Sequence, residues 1–200
     1  MTGVQVWEAY GSRAEEYSGA LGSVEQMHDT DRRLIKRWAA QLPPGPVLDA
    51  GCGPGHWTSF LYDQGIDVEG LDVTAEFIDS ARARFPEVPF RVGSFTHTKA
   101  PGSSVSGVLA WYSLIHEHPE ALPLTIAELC RILRPDGRLL VGFFEGIAAD
   151  PFPHAITTAY YWSVEAMSLM LDQAGLDIAA IDRGQDPGSR PHAAITAVVR

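Results

Sequence analysis

Asparagine does not occur in this chain, lysine occurs only at Lys36 and Lys99, and cysteine only at Cys52 and Cys130. Without asparagine there is no N-glycosylation acceptor. Two cysteines, one in a glycine-rich loop and one in a helical pattern, do not make a disulfide framework. No apolar run approaches the roughly 20 residues that a membrane-spanning helix needs. The opening Met1-Thr2-Gly3-Val4-Gln5 has no basic residue leading into an apolar core, so no secretory signal is expected. Cytoplasm is the expected compartment, with no membrane partner.

The shortage of lysine belongs to a wider imbalance. Fifteen basic residues stand against 25 acidic ones, a net charge of −10. Binding to a phosphate backbone relies on Lys and Arg to displace counterions, so nucleic acid is not an expected partner. Arg32, Arg33, Lys36 and Arg37 fall close together, but a solvated helix face accounts for them. What remains is ordinary: 200 residues, 46% of them hydrophobic. That suits one globular domain, residues 1–200, with a core of real size.

The chain is organised around Val47-Leu48-Asp49-Ala50-Gly51-Cys52-Gly53-Pro54-Gly55-His56-Trp57. A short apolar run ends in an acid, glycines recur at every second position, and an amphipathic pattern begins. This reads as strand, tight loop, helix. Glycines there let a backbone approach a ligand closely. A second acid, Asp72, ends the next apolar run, at the separation expected of a ribose-binding carboxylate.

Two cofactors suit such a loop. A dinucleotide loop places its third glycine three residues after the second and seats a pyrophosphate on the helix. Here Gly55 comes two residues after Gly53, and His56 fills the dinucleotide position. Asp49 at the strand end would repel a pyrophosphate but suits an ammonium group. S-adenosylmethionine (SAM) carries an ammonium, a sulfonium and a ribose diol, and no phosphate. The spacing favours SAM.

The Val-Leu-Asp-Ala-Gly-Cys-Gly-Pro-Gly run resembles the first motif of the class I SAM-dependent methyltransferases, small-molecule type. Leu133-Arg134-Pro135-Asp136-Gly137-Arg138-Leu139-Leu140 is similar to the segment leading into their fifth strand. The likeness covers about residues 45–145. It implies a three-layer α/β sandwich (Rossmann-like) with a seven-stranded, mostly parallel sheet, order 3-2-1-4-5-7-6, its last strand antiparallel. It also implies that residues 1–45 form a helical lid over an α/β core of residues 46–200, and that Tyr17 reaches the methionine end of SAM.

In chain order, two helical stretches occupy residues 3–42, the second over about 31–42 and ending at Pro43-Pro44-Gly45. Strands are expected at 47–50, 67–71, 88–92, 107–112 and 138–144. Helices are expected at about 57–64, 74–85 with Thr74 as N-cap, and 119–133. Residues 145–162 show no periodicity. Ser163 caps a last helix, and strands at 176–181 and 193–199 close the chain. Alternation of strand and helix independently gives a mostly parallel sheet with helices on both faces.

Ligands in such sheets bind beyond the carboxyl ends of the strands. Gly51, Cys52, Gly53 and Gly55 would offer backbone groups to the methionine end of SAM, and Asp49 would face its ammonium. Asp72 would take the ribose hydroxyls, with Val73 on the adenine. After strand three the family often has an acid; this chain has Gly93-Ser94-Phe95. Ser94 and Phe95 remain adenine candidates, and Trp111 joins the cofactor contacts.

Strand four runs into Trp111-Tyr112-Ser113-Leu114-Ile115-His116 and lacks the Pro-Pro of DNA-base methylating enzymes. Methyl transfer to a hydroxyl profits from a base near neutral pH, and His116 lies where related O-methyltransferases place one. A histidine that merely packs in the loop is the competing explanation. Tyr112, His154, Tyr160 and His192 are candidates for the acceptor pocket. His116-Glu117-His118 falls short of a zinc pattern, and no metal is expected.

The expected function is methyl transfer from SAM to oxygen or nitrogen of a small molecule, leaving S-adenosylhomocysteine (SAH). The alternatives are a non-catalytic module that binds SAM or SAH, and a nicotinamide-dependent oxidoreductase. The sequence leaves the acceptor and the oligomeric state open.

Overall fold

In the computed structural model of the chain, residues 27–154, 157–185 and 189–200 are described. The first predicted helix, and with it Tyr17, lies outside them. Helix α1 (Asp29–Ala39) packs Leu34, Ile35 and Trp38 inward. Asp29 and Asp31 in its first turn and Lys36 and Arg37 in its last suit the helix dipole. It is followed by β1 (Val47–Ala50), α2 (His56–Asp63), β2 (Val68–Asp72), α3 (Ala75–Arg84), β3 (Phe90–Val92) and β4 (Val105–Trp111). A 3-10 turn at Leu114–His116 leads to α4 (Leu122–Ile132) and β5 (Leu133–Phe144). Then come β6 (Pro151–Pro153), β7 (Thr158–Tyr160), α5 (Val164–Gln173), β8 (Leu176–Gly184) and β9 (His192–Val199).

Seven strands form one sheet in the order β3-β2-β1-β4-β5-β9-β8. Strands β1 to β5 run parallel, and β9 is antiparallel to both β5 and β8. Counted without the small hairpin, this is the expected 3-2-1-4-5-7-6. The hairpin is the addition: β6 and β7 pair only with each other, in a region where the sequence showed no period. Its excursion closes on itself. The Trp162 amide donates to the Phe144 carbonyl at 3.0 Å, and the Gly146 amide to the Trp162 carbonyl at 3.2 Å.

The central strands are buried on both sides, which is why β1 and β4 are nearly continuous apolar runs. Period-two alternation deals their side chains to opposite layers. Leu48, Val108, Leu139, Val141 and Phe143 meet α4 and α5 through Leu122, Ile126, Leu129, Met167 and Leu171. Val47, Leu109 and Leu140 meet α1 and α2 through Ile35, Trp38, Trp57 and Leu61. Asp49 shares the α2 side with Val47.

Local signals behave differently at two helix starts. Ser163 caps α5, its hydroxyl accepting from the Ala166 amide at 3.1 Å. Thr74 stands at the N-cap of α3 without a side-chain cap; it is buried, and its own amide donates to Asp72 at 2.8 Å. Arg37 forks onto Asp182 of β8 at 2.8 and 2.9 Å. Being largely exposed, that pair contributes at most about 1 kcal/mol.

Candidate active site

The glycine loop lies at the carboxyl end of β1, bent by positive φ at Gly51 (80°), Gly53 (53°) and Gly55 (82°). The three glycines answer different needs. A Cβ on Gly55 would stand 2.6 Å from the Phe90 ring and 2.9 Å from Ala81 Cβ. A Cβ on Gly51 would stand 2.4 Å from Ser113 Cβ and 3.2 Å from the Phe95 ring. A Cβ on Gly53 would meet nothing within 4 Å. Gly51 and Gly55 are therefore needed for packing, and Gly53 is the one at which a side chain would face open space.

Two buried carboxylates hold this loop. Asp72 accepts from the Gly53 amide at 2.9 Å through one oxygen and from the Thr74 amide at 2.8 Å through the other. Asp49 accepts from the Thr58 hydroxyl of α2 at 2.7 Å and is 2% exposed. Burial pushes the Asp49 carboxyl up to about 7, against the Thr58 hydrogen bond and with help from the Asp72 charge. Burial also raises Asp72, opposed by the amides of Thr74 and Gly53. Among the described residues neither acid forms an ion pair with a basic group. A cation delivered to this spot would relieve the cost of ionising them, which is what the ammonium of SAM or SAH brings. Burial pushes the Cys52 thiol up and the His56 imidazole down to about 4.

The other cofactor candidates surround this centre. Val73, just past Asp72, is exposed. Phe95 flanks Gly51, while the Ser94 hydroxyl is engaged with Thr96, at 2.7 Å from its Oγ1 and 3.1 Å from its amide. Trp111 packs edge-on against Trp57 of α2, ring centroids 6.4 Å apart, as part of the core on the α1 and α2 side.

Of the acceptor candidates, Tyr112 and His154 come together with His116 around Phe144, while Tyr160 and His192 stand apart. Tyr112 takes a φ of 53° at the strand end, a left-handed conformation rarely occupied by a tyrosine. Its ring packs on Phe144 at 5.1 Å. His116 ends the 3-10 turn, and its Nδ1 lies 2.8 Å from the Thr158 carbonyl of β7. Since a carbonyl only accepts, the proton sits on Nδ1 and the lone pair on Nε2. Burial lowers the His116 pKa, partly opposed by the Thr158 hydrogen bond. His154, just past β6, sets its ring edge-on to His116 at 5.2 Å. Tyr160 instead faces His118 at 6.0 Å. His192 lies one strand away, paired with Phe144 in the ladder, its ring against Gly184.

Sequence reasoning passed over Thr58, Ser113, Phe144 and Phe152. Thr58 was open to inference, as the polar residue on the inward side of α2 opposite an inward-facing Asp49. Phe152 belongs to the hairpin, which no periodicity announced. Among the described residues no group of three His, Cys, Asp or Glu side chains is placed to hold a metal ion.

A sheet in this order, with a glycine bend held by two buried carboxylates at its carboxyl edge, is a Rossmann-like α/β frame with its ligand site at the strand ends. A methyltransferase-domain family model matches residues 47–137. Over 143 residues the chain is 32% identical to a malonyl-acyl-carrier-protein O-methyltransferase of Enterobacter lignolyticus, covering 70% of this chain and 55% of that protein. The chain thus spans about half the length of that relative. Magnesium protoporphyrin IX methyltransferase of Synechocystis, solved with SAH, superposes with a TM-score of 0.78 at 19% identity over the whole of both chains. The cyclase SpnF superposes with a TM-score of 0.81 at 17% identity, covering 99% of this chain and 96% of that one. These two structural likenesses define the fold alone. Over these matched residues the chain is similar to the class I SAM-dependent methyltransferases, a family whose cofactor is SAM.

Proposed function

We propose that this protein transfers the methyl group of SAM to an oxygen or nitrogen of a small-molecule acceptor. The observation that carries the reading is the Gly53 amide tied to Asp72 beside a second buried acid, Asp49, which pairs with no basic side chain among the described residues. In this reading the backbone of Gly51, Cys52, Gly53 and Gly55 receives the methionine end. Asp49 receives the ammonium, Asp72 the ribose hydroxyls, and Val73, Ser94 and Phe95 the adenine, with Trp111 among the cofactor contacts. SAM, when bound, supplies a methyl already activated on sulfur, so the protein's contribution is alignment in a dry site. His116 takes a proton at Nε2 when the acceptor is a hydroxyl. The same reading holds one SAM-binding domain acting in the cytoplasm on small molecules, with no nucleic-acid or membrane partner. No described helix is long and apolar enough to cross a membrane.

Calorimetry with SAM and SAH tests it. Low-micromolar binding, about −8 kcal/mol, weakened by Asp72→Ala, is the expected result; no binding of either removes the proposal. A second reading, a module that binds the cofactor without methylating, draws on the cyclase likeness: this fold also houses a protein named for another reaction. Tight SAH binding without turnover across a broad acceptor panel would favour it. Saturable binding of NAD(P) would instead favour an oxidoreductase.

A further inference from the structure

We propose that His154, carried by the β6–β7 hairpin edge-on to His116, orients the methyl acceptor, and that this acceptor is a planar aromatic compound bearing the reactive hydroxyl, seated among Tyr112, Phe144 and Phe152. The inference deepens the methyltransferase reading and rests on it.

The first observation is an orphan. Nδ1 of His154 is buried and has no hydrogen-bond partner among the described residues, whereas buried polar groups are almost always paired. As a packing residue, phenylalanine would fill the same place without leaving a nitrogen unsatisfied. The imidazole thus has no internal task that its position explains. Its ring stands against His116 on one side, with Phe144 at 6.0 Å and Phe152 at 6.2 Å.

The second observation is the wall. Tyr112, Phe144 and Phe152 form a continuous chain of rings, Tyr112 to Phe144 at 5.1 Å and Phe144 to Phe152 at 5.5 Å. Aromatic faces and edges select flat π-systems over puckered aliphatic rings of like size. The third is a clasp. Arg190 lies over the Phe152 ring at 4.7 Å and donates to the Tyr161 hydroxyl at 3.0 Å and the Pro153 carbonyl at 3.4 Å. It ties the segment before β9 to the hairpin, while the Thr158 carbonyl of β7 holds the hairpin to the turn that carries His116, and the Arg190 charge favours an acidic hydroxyl nearby. Burial, with the charges of His116 and Arg190, lowers the His154 pKa to about 4, so the ring is neutral at pH 7 and available to hydrogen-bond. In the reaction the hydroxyl proton passes to His116 Nε2 as the oxygen bonds the methyl carbon. The carbon–sulfur bond breaks with its electron pair remaining on sulfur.

The test titrates the whole chain, with and without saturating SAH, with para-nitrophenol and with cyclohexanol. The expected result is saturable para-nitrophenol binding, with cyclohexanol weaker by about tenfold or more. His154→Phe should weaken para-nitrophenol by about tenfold while SAH affinity is unchanged, and His154→Gln should retain most of the binding. Equal binding of the two alcohols, no binding of para-nitrophenol, or undiminished binding by His154→Phe overturns the proposal. Should His154→Phe not fold, nitrogen NMR of the native histidines decides: para-nitrophenol must shift the His154 ring signals, and unmoved signals overturn the proposal. Failure of SAH to bind the native chain overturns the cofactor reading instead, and the titration without SAH still judges this one.

Discussion

The amide of Gly53 donates to the carboxylate of Asp72 across 2.9 Å, so the cofactor loop of one strand is fastened to the acid that ends the next. Loop shape and the proposed ribose site are one construction, and a change in either should be felt in both. Asp72→Ala leaves the amides of Gly53 and Thr74 without their acceptor. The expected loss is about 1–3 kcal/mol of stability, read by thermal denaturation, together with weaker SAH binding in calorimetry. Asp72→Asn keeps one acceptor oxygen and should fall between.

Gly53 and Gly55 should separate ligand space from packing. Gly53→Ala meets no neighbour, so its cost to the fold is the left-handed backbone alone, about 1–2 kcal/mol. Its effect should appear chiefly in SAH affinity. Gly55→Ala drives a methyl into the Phe90 ring and should cost more in stability, about 1–3 kcal/mol of overpacking on top of the same backbone strain. Equal stability losses for the two variants would refute this division.

Asp49 predicts a pH dependence of both stability and binding. Its folded pKa, about 7, lies above the ordinary value, so the folded state holds its proton where the unfolded chain has released it. Stability from this group is full below about pH 4 and is lost as pH rises towards 7. Asp49→Asn should therefore gain stability relative to the native chain at pH 8 and little at pH 4, measured by urea melts. An ammonium beside Asp49 favours its charged form. SAH binding should then release a proton near neutral pH, visible as a buffer-dependent heat.

His116 predicts the acid side of the rate profile. Burial lowers its pKa below 6.5, so the imidazole is neutral at pH 7 and ready to accept a proton. With a hydroxyl acceptor in hand, turnover should fall only below pH 6.5. His116→Gln should lose about 10²–10⁴ in kcat together with that limb. An unchanged profile would reduce His116 to a residue that ties the turn to β7.

Much of this was legible in the chain because the physics is local. Buried parallel strands write themselves as apolar runs, so Val47–Ala50 and Val68–Asp72 could be placed within a residue. The glycine spacing selected the cofactor class before any contact was known. Its reason was read too uniformly, since only the folded neighbours Ser113, Phe90 and Ala81 show which glycines are needed for packing. The hairpin was invisible: two strands of three residues, one bounded by Pro151 and Pro153, carry too few positions for a period to show. For the same reason His116 and His154 could be named singly but not brought face to face. Their meeting depends on β7 docking against the 3-10 turn.

The hairpin leaves β5 and returns to it within one hydrogen bond of its departure, between Phe144 and Trp162. An excursion whose ends already touch can be lengthened, shortened or exchanged at small entropic cost while the ladder from β5 to β9 runs on unbroken. If the hairpin seats the acceptor as proposed, a descendant lineage could take up a different one by rewriting residues 145–161 and keeping the glycine loop and its two acids untouched. Chimeras that transplant this segment between relatives are the natural starting point for redirecting the enzyme.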